Sequence, residues 1–290
     1  MVDPFIILTR YLYIKDDVWA SIMMSVLNKD IDQTMFWVCE MYHSGHQEAL
    51  SEYLIVLYEE FFRTKNPRLE SFLKKLSTKI TDGSHIAATM AMNLVSKPRK
   101  FTVSDFDVPK TDCELDPDHV NETRVFIHVL PDAVVKYNTI YMDDSDARNI
   151  LQKACLYSSC KNMMKLIRYE SISLDIPKLQ EYHRTDHHWL YFASFSPIWG
   201  ERIVEYNGTI NHDTFRVDFL DDDDMEEFYQ EYGYEPDEQD RSVCEKIMHN
   251  NIESQITMKG FCCMFNKTKT VRVKKQGTRG SILNQEQFIS

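Results

Sequence analysis

Apolar residues fall on helical faces through most of the first hundred positions. From Asp16 onward, Val18, Trp19, Ile22, Met23, Val26 and Leu27 form a two-wide stripe at helical spacing. A second helix, opening near Asp30 or Asp32, carries Met35, Val38, Met41 and Tyr42 on one side and stops at Gly45. The third stripe, Ala49, Leu50, Tyr53, Leu54, Leu57, Tyr58, Phe61 and Phe62, ends at Asn66-Pro67, because a residue before proline avoids the helical region. Pro67 suits a first helical position, and Leu69, Phe72, Leu73 and Leu76 follow it. Ser84 is expected to cap a fifth helix holding Ile86, Ala87, Met90, Ala91, Leu94 and Val95, closed by Pro98. Short helices with short connections predict a bundle or array over residues 1–98.

The pattern changes over residues 99–142. Pro109, Pro117 and Pro131 interrupt it, and Val125, Ile127 and Val129 alternate as in a strand, so this connecting segment is expected to hold one or two strands. A second α-rich block, residues 143–260, opens with the acidic cap Asp143-Asp144-Ser145 ahead of Ile150, Leu151, Ala154 and Cys155. It includes a short helix from Pro197 to Tyr206, a turn at Asn207-Gly208 and a strand at Phe215, Val217 and Phe219. Twelve acidic residues and no basic one lie between Asp218 and Asp240. Met225, Phe228, Tyr229 and Tyr232 nevertheless keep helical spacing, which predicts an exposed acidic helix. The fold class expected is therefore mainly α, with an N-terminal multi-helix bundle and a second block (α+β) carrying a few short strands.

Charge adds a polarity to this outline. The 290 residues carry a net charge of −12, which disfavours wrapping of duplex DNA over the whole surface. The tail 261–290 opposes that balance: Lys267, Lys269, Arg272, Lys274, Lys275 and Arg279 face Glu286 alone. It is expected to contact an acidic surface or nucleic-acid phosphates, or else to serve as an edge strand guarded by lysines. Asp222, Asp223 and Asp224 are the matching acidic contact candidates, alongside Lys267, Lys269, Arg272, Lys274 and Lys275.

Glycine usage excludes common chemistries. There are eight glycines, and no G-x-G-x-x-G, G-x-x-x-x-G-K-[ST] or G-x-S-x-G can be written, so phosphate-cradling loops and the serine-hydrolase elbow are absent. The seven cysteines include no C-x-x-C: Cys155 and Cys160 are too far apart, and Cys262-Cys263 are vicinal. Reduced, core-filling thiols are expected. Asp3 and the short apolar run Phe5–Leu8 do not make a secretory signal, and no stretch approaches the roughly 18 apolar residues of a membrane span, so an intracellular protein is expected.

Metal chemistry has two candidates. His183 and His187 stand at i, i+4 with Asp186 nearby, without an H-E-x-x-H. Asp221 and Asp223 belong to a four-residue acidic run without the D-x-[DN]-x-[DN]-G spacing of a calcium loop. In both places the simpler account is local, namely a polar helix start near Asp186 and acidic residues favoured by the next helix's N-terminus. No catalytic residue and no cofactor is expected.

The stretch DDVWASIMMSVLNKDIDQTMFWVCEMYHSGHQEAL, followed by NPRLESFL, resembles a region of uncharacterised proteins of large double-stranded DNA viruses of algae and protists. HHWLYFASFSPIWGERI with YGYEPDEQ is similar to the same group. The resemblance implies a viral setting and brings no function or catalytic residue with it. With no catalytic signature in the chain, an interaction or scaffold protein without enzymatic activity, a minor virion or assembly component, is expected. Its partners would be other proteins, and its sites the host cytoplasm, viral factory or virion. An accessory factor of viral replication or transcription, and a metal-dependent hydrolase or nuclease, are the alternatives. The N-terminal helices are also similar to a clamp-loader helical collar; without an ATPase core, this implies a packing mode only.

Overall fold

The computed structural model describes residues 6–63, 66–96, 126–139, 147–157 and 188–247. Among these residues the chain is mainly helical, with eleven α-helices and one small two-stranded sheet. No helix among them is long and apolar enough to cross a membrane.

Helix α1 (Lys15–Asn28) and helix α2 (Ile31–His43) form the centre. Every residue of α1 from Asp17 to Leu27 is buried, and so is every residue of α2 from Thr34 to Tyr42. Helices surrounded on all sides belong inside a core, which is why neither shows a strongly one-sided pattern. Lys29 breaks the run between them by adopting a left-handed conformation, its amide bonding back to the Ser25 and Val26 carbonyls. Asp30 then caps α2 by accepting from the Gln33 amide at 3.1 Å.

Around α2 pack α3 (Gln47–Phe61), α5 (Ser84–Val95) and α6 (Pro131–Asn138), while α4 (Leu69–Ser77) packs on α3 and α5. The α3 stripe is buried at Leu50, Leu54, Leu57, Tyr58 and Phe61. Helix α4 starts two residues after Pro67, which stays in the preceding turn. Ser84 does not cap α5. Gly83 takes the cap position, and the Ser84 hydroxyl donates instead to Asn138 Oδ1 at 3.1 Å.

Residues 126–130 run beside α5 without forming a strand. The buried amide of Asn93 substitutes for a neighbouring strand: it donates to the Ile127 carbonyl at 2.7 Å and accepts from the Ile127 amide at 3.0 Å. Thr89 Oγ1 accepts from the Val129 amide at 2.9 Å. Both backbone groups of Ile127 are thereby satisfied by one side chain.

The later elements are α7 (Ala147–Ala154), α8 (Trp189–Ala193), α9 (Pro197–Glu205), the antiparallel hairpin β1 (Thr209–Asn211) and β2 (Arg216–Asp218), α10 (Asp222–Tyr232) and α11 (Arg241–Ile247). They join the first helices through residues 6–14. Leu8 donates its amide to the Phe192 carbonyl at 3.3 Å, and the buried Trp199 indole donates to the Thr9 carbonyl at 3.0 Å. Gly45, at φ +91°, sits against Pro197: a Cβ there would lie 2.5 Å from Pro197 Cβ.

Candidate interaction surface

Helix α10 is built to stand at the edge of the molecule. Asp221 opens it by accepting from the Asp224 amide at 2.9 Å, and the acidic residues of its first turn complement the helix dipole. Asn207, in a left-handed turn at φ 55°, donates its amide to both Asp224 carboxylate oxygens at 3.2 Å. Phe228 alone on α10 is buried, with no exposed surface at all. It contacts the rings of Phe219 (5.0 Å), Tyr206 (5.8 Å) and Tyr232 (5.6 Å). Aromatic pairs at these separations prefer tilted and edge-to-face packing, as seen here.

Beneath them lies Trp199, fully buried, edge-to-face with Trp189 and Tyr234 at 5.4 and 5.5 Å. The Arg202 guanidinium lies 4.6 Å from the Trp199 ring and 4.5 Å from the Tyr232 ring, so a cation sits between two aromatic faces. Val217 of the hairpin and Phe219, both half-buried against the core, complete the seat.

What α10 turns outward is acidic and apolar together. Asp222, Asp223, Glu226 and Glu227 are exposed. Met225 and Tyr229, one turn apart, are each 40% exposed, and Leu220 just before the helix is 76% exposed. At 100° per residue, the Met225/Tyr229 row borders the Asp222/Glu226 row. Helical spacing alone assigns Met225 and Tyr229 to the interior; the signal against it is the run of carboxylates on either side, which leaves only Phe228 a dry neighbourhood.

Two other charged clusters organise the body. Glu40, near the C-terminal end of α2 with no exposed surface, accepts from Arg10 Nε at 2.8 Å and from the Tyr11 amide at 3.1 Å. Arg10 also donates to the Tyr137 carbonyl at 2.9 Å and to the Asn138 carbonyl. Burial opposes the charge on Arg10, but Glu40 outweighs it and raises the Arg10 pKa. At the other end of α2, Asp32 accepts from the Tyr137 hydroxyl at 2.5 Å, from Lys136 at 2.9 Å and from the Tyr157 hydroxyl at 3.4 Å. Those hydrogen bonds, Tyr137 first, hold the Asp32 carboxyl below its ordinary range, and burial raises the Tyr137 phenol to about 12. Both clusters fasten α6 to α2.

The residues singled out from the sequence are distributed as follows. Asp222, Asp223 and Asp224 share the first turn of α10, with Asp221 as its cap. Asp221 and Asp223 are not joined by other ligands: among the described residues, no group of three or more His, Cys, Asp or Glu is placed to hold a metal ion. His183, His187, Lys267, Lys269, Arg272, Lys274 and Lys275 lie outside the described residues. Cys39, Cys155 and Cys244 are thiols not joined in disulfides, and burial pushes the Cys39 thiol up to about 12, which keeps it un-ionised. Compared with protein families, curated proteins and solved structures, the chain matches none.

Proposed function

We propose that this chain is a non-enzymatic interaction protein that holds a basic macromolecular partner on α10, and that it serves as a minor virion or assembly component of a large DNA virus. The observation that carries the first part is the presentation of α10. Its carboxylates, bordered by the half-exposed Met225 and Tyr229, lie at the surface of a helix fixed by Phe228, with the Tyr229 ring held against Trp189 and Phe219, so the contact geometry exists before a partner arrives. Preorganisation of this kind lowers the ordering cost of binding, and the acidic field accelerates encounter with basic partners. The viral setting is supported by the resemblance of residues 16–50, 66–73, 187–203 and 232–239 alone.

The test is parallel affinity capture with the natural chain and with a variant carrying Asp222→Asn, Asp223→Asn, Glu226→Gln and Glu227→Gln. A basic protein captured by the natural chain and lost from the variant is the expected result. Identical captured sets overturn the reading. For the virion part, recovery of the chain at stoichiometric level in purified particles is expected, and its absence from them refutes that placement.

A further inference from the structure

Within that reading, which it rests on, we infer that the basic stretch 261–275 of this same chain occupies the outward face of α10 when no partner is bound. The face has complementary chemistry. Asp222 and Glu226 form one row, Met225 and Tyr229 the adjoining one, and Leu220 extends the apolar side. Among the described residues, none of Asp222, Asp223, Glu226 and Glu227 is paired with a cation. The sequence of 267–275, KTKTVRVKK, alternates basic and small or apolar residues, with Val271 and Val273 among five cations. An acidic–apolar face and a basic–apolar segment satisfy each other's charge and cover each other's apolar surface.

Reach does not limit the contact. The described chain ends at Ile247 in α11, and α11 and α10 both pack on α7. Two helices that touch a third lie within about 20 Å of each other. Residues 248–260, extended, cover roughly 40 Å. A tether of that length holds the basic stretch at a local concentration on the order of millimolar, so modest individual ion pairs suffice for docking. The consequence is competition: a basic partner must displace the chain's own tail, which sets a threshold against weak, non-specific cations.

Zero-length carbodiimide crosslinking of the full chain, as a mixture of isotopically light and heavy protein, tests this directly. The expected products join Lys267, Lys269, Lys274 or Lys275 to Asp222, Asp223, Glu226 or Glu227 within one isotope type, and decrease roughly tenfold at 1 M salt. The full chain with Lys267→Gln, Lys269→Gln, Arg272→Gln, Lys274→Gln and Lys275→Gln should then exchange its amides across 222–232 roughly three- to tenfold faster. Both results are required. Crosslinks to other acidic sites, crosslinks between isotope types, no crosslinks, or unchanged exchange each overturn the inference. Because neither readout involves a partner, tail docking without any captured protein refutes the proposed function alone. Partner capture without tail docking refutes this inference alone.

Discussion

Arg10 Nε lies 2.8 Å from Glu40 Oε2, and both side chains are buried, the carboxylate completely. Thirty positions apart, they connect the N-terminal segment to the C-terminal end of α2. The remaining bonding capacity is used as well: Glu40 accepts from the Tyr11 amide, and Arg10 donates to two carbonyls at the end of α6. Removing one partner leaves an unmatched charge in the interior. Glu40→Ala and Arg10→Ala should each destabilise by about 3–5 kcal/mol. The double replacement should cost less than the sum, with a coupling of about 0.5–3 kcal/mol. Additive losses in denaturant titrations would show that the two side chains act independently.

Burial of two histidines makes stability depend on pH. Burial first, then Arg10, lowers the His43 pKa to about 4; burial first, then Lys15, lowers that of His46 to about 4. In the unfolded chain both titrate near 6.5. Between these values the unfolded state binds more protons, so stability is fully present above about pH 6.5 and is lost as pH falls toward 4. Each should contribute about 1–3 kcal/mol of that loss. Thermal unfolding at pH 7 and pH 4.5 measures it, and His43→Gln/His46→Gln should flatten the dependence. A variant whose midpoint still falls as steeply would assign the acid sensitivity to other groups.

Much of this architecture is legible along the chain, and the parts that are not have specific causes. The α3 stripe, the Asp30 cap and the acidic helix follow from periodicity and capping chemistry that act within a few residues. Ser84 misleads because Gly83 is placed to precede the helix, while Asn138, far along the chain, takes the hydroxyl. The alternation at Ile127 and Val129 misleads because Asn93 and Thr89 supply the pairing a strand would need. Glu40 in an apolar helix is silent without Arg10. Met225 and Tyr229 have the spacing of core residues, but an edge helix needs only Phe228 inside.

Gly45 offers a local test of how the first helices meet α9. Its φ of +91° disfavours any side chain, and a Cβ would meet Pro197 Cβ at 2.5 Å. Gly45→Ala should therefore destabilise by about 1–3 kcal/mol, from backbone strain together with overpacking. The exposed substitution Val56→Ala on α3 is the control and should change stability by less than about 0.5 kcal/mol. Equal effects would indicate that the Gly45–Pro197 approach relaxes without cost.

The division of labour within α10 gives the most direct separation of architecture from recognition. Phe228 fills the aromatic seat formed with Phe219, Tyr206 and Tyr232, so Phe228→Ala should destabilise by about 3–5 kcal/mol. Asp222, Asp223, Glu226 and Glu227 are exposed; their amide replacements should cost little beyond the dipole contribution of Asp222 and Asp223, about 0.3–1 kcal/mol each. Association of the natural chain with a basic peptide such as octalysine should slow as salt rises, because screening weakens steering by exposed charges. The four-amide variant should lose most of that salt dependence while losing far less stability than Phe228→Ala. A variant destabilised as much as Phe228→Ala would show that the carboxylates hold the fold; one that binds octalysine with unchanged rate and salt dependence would move the contact surface away from α10.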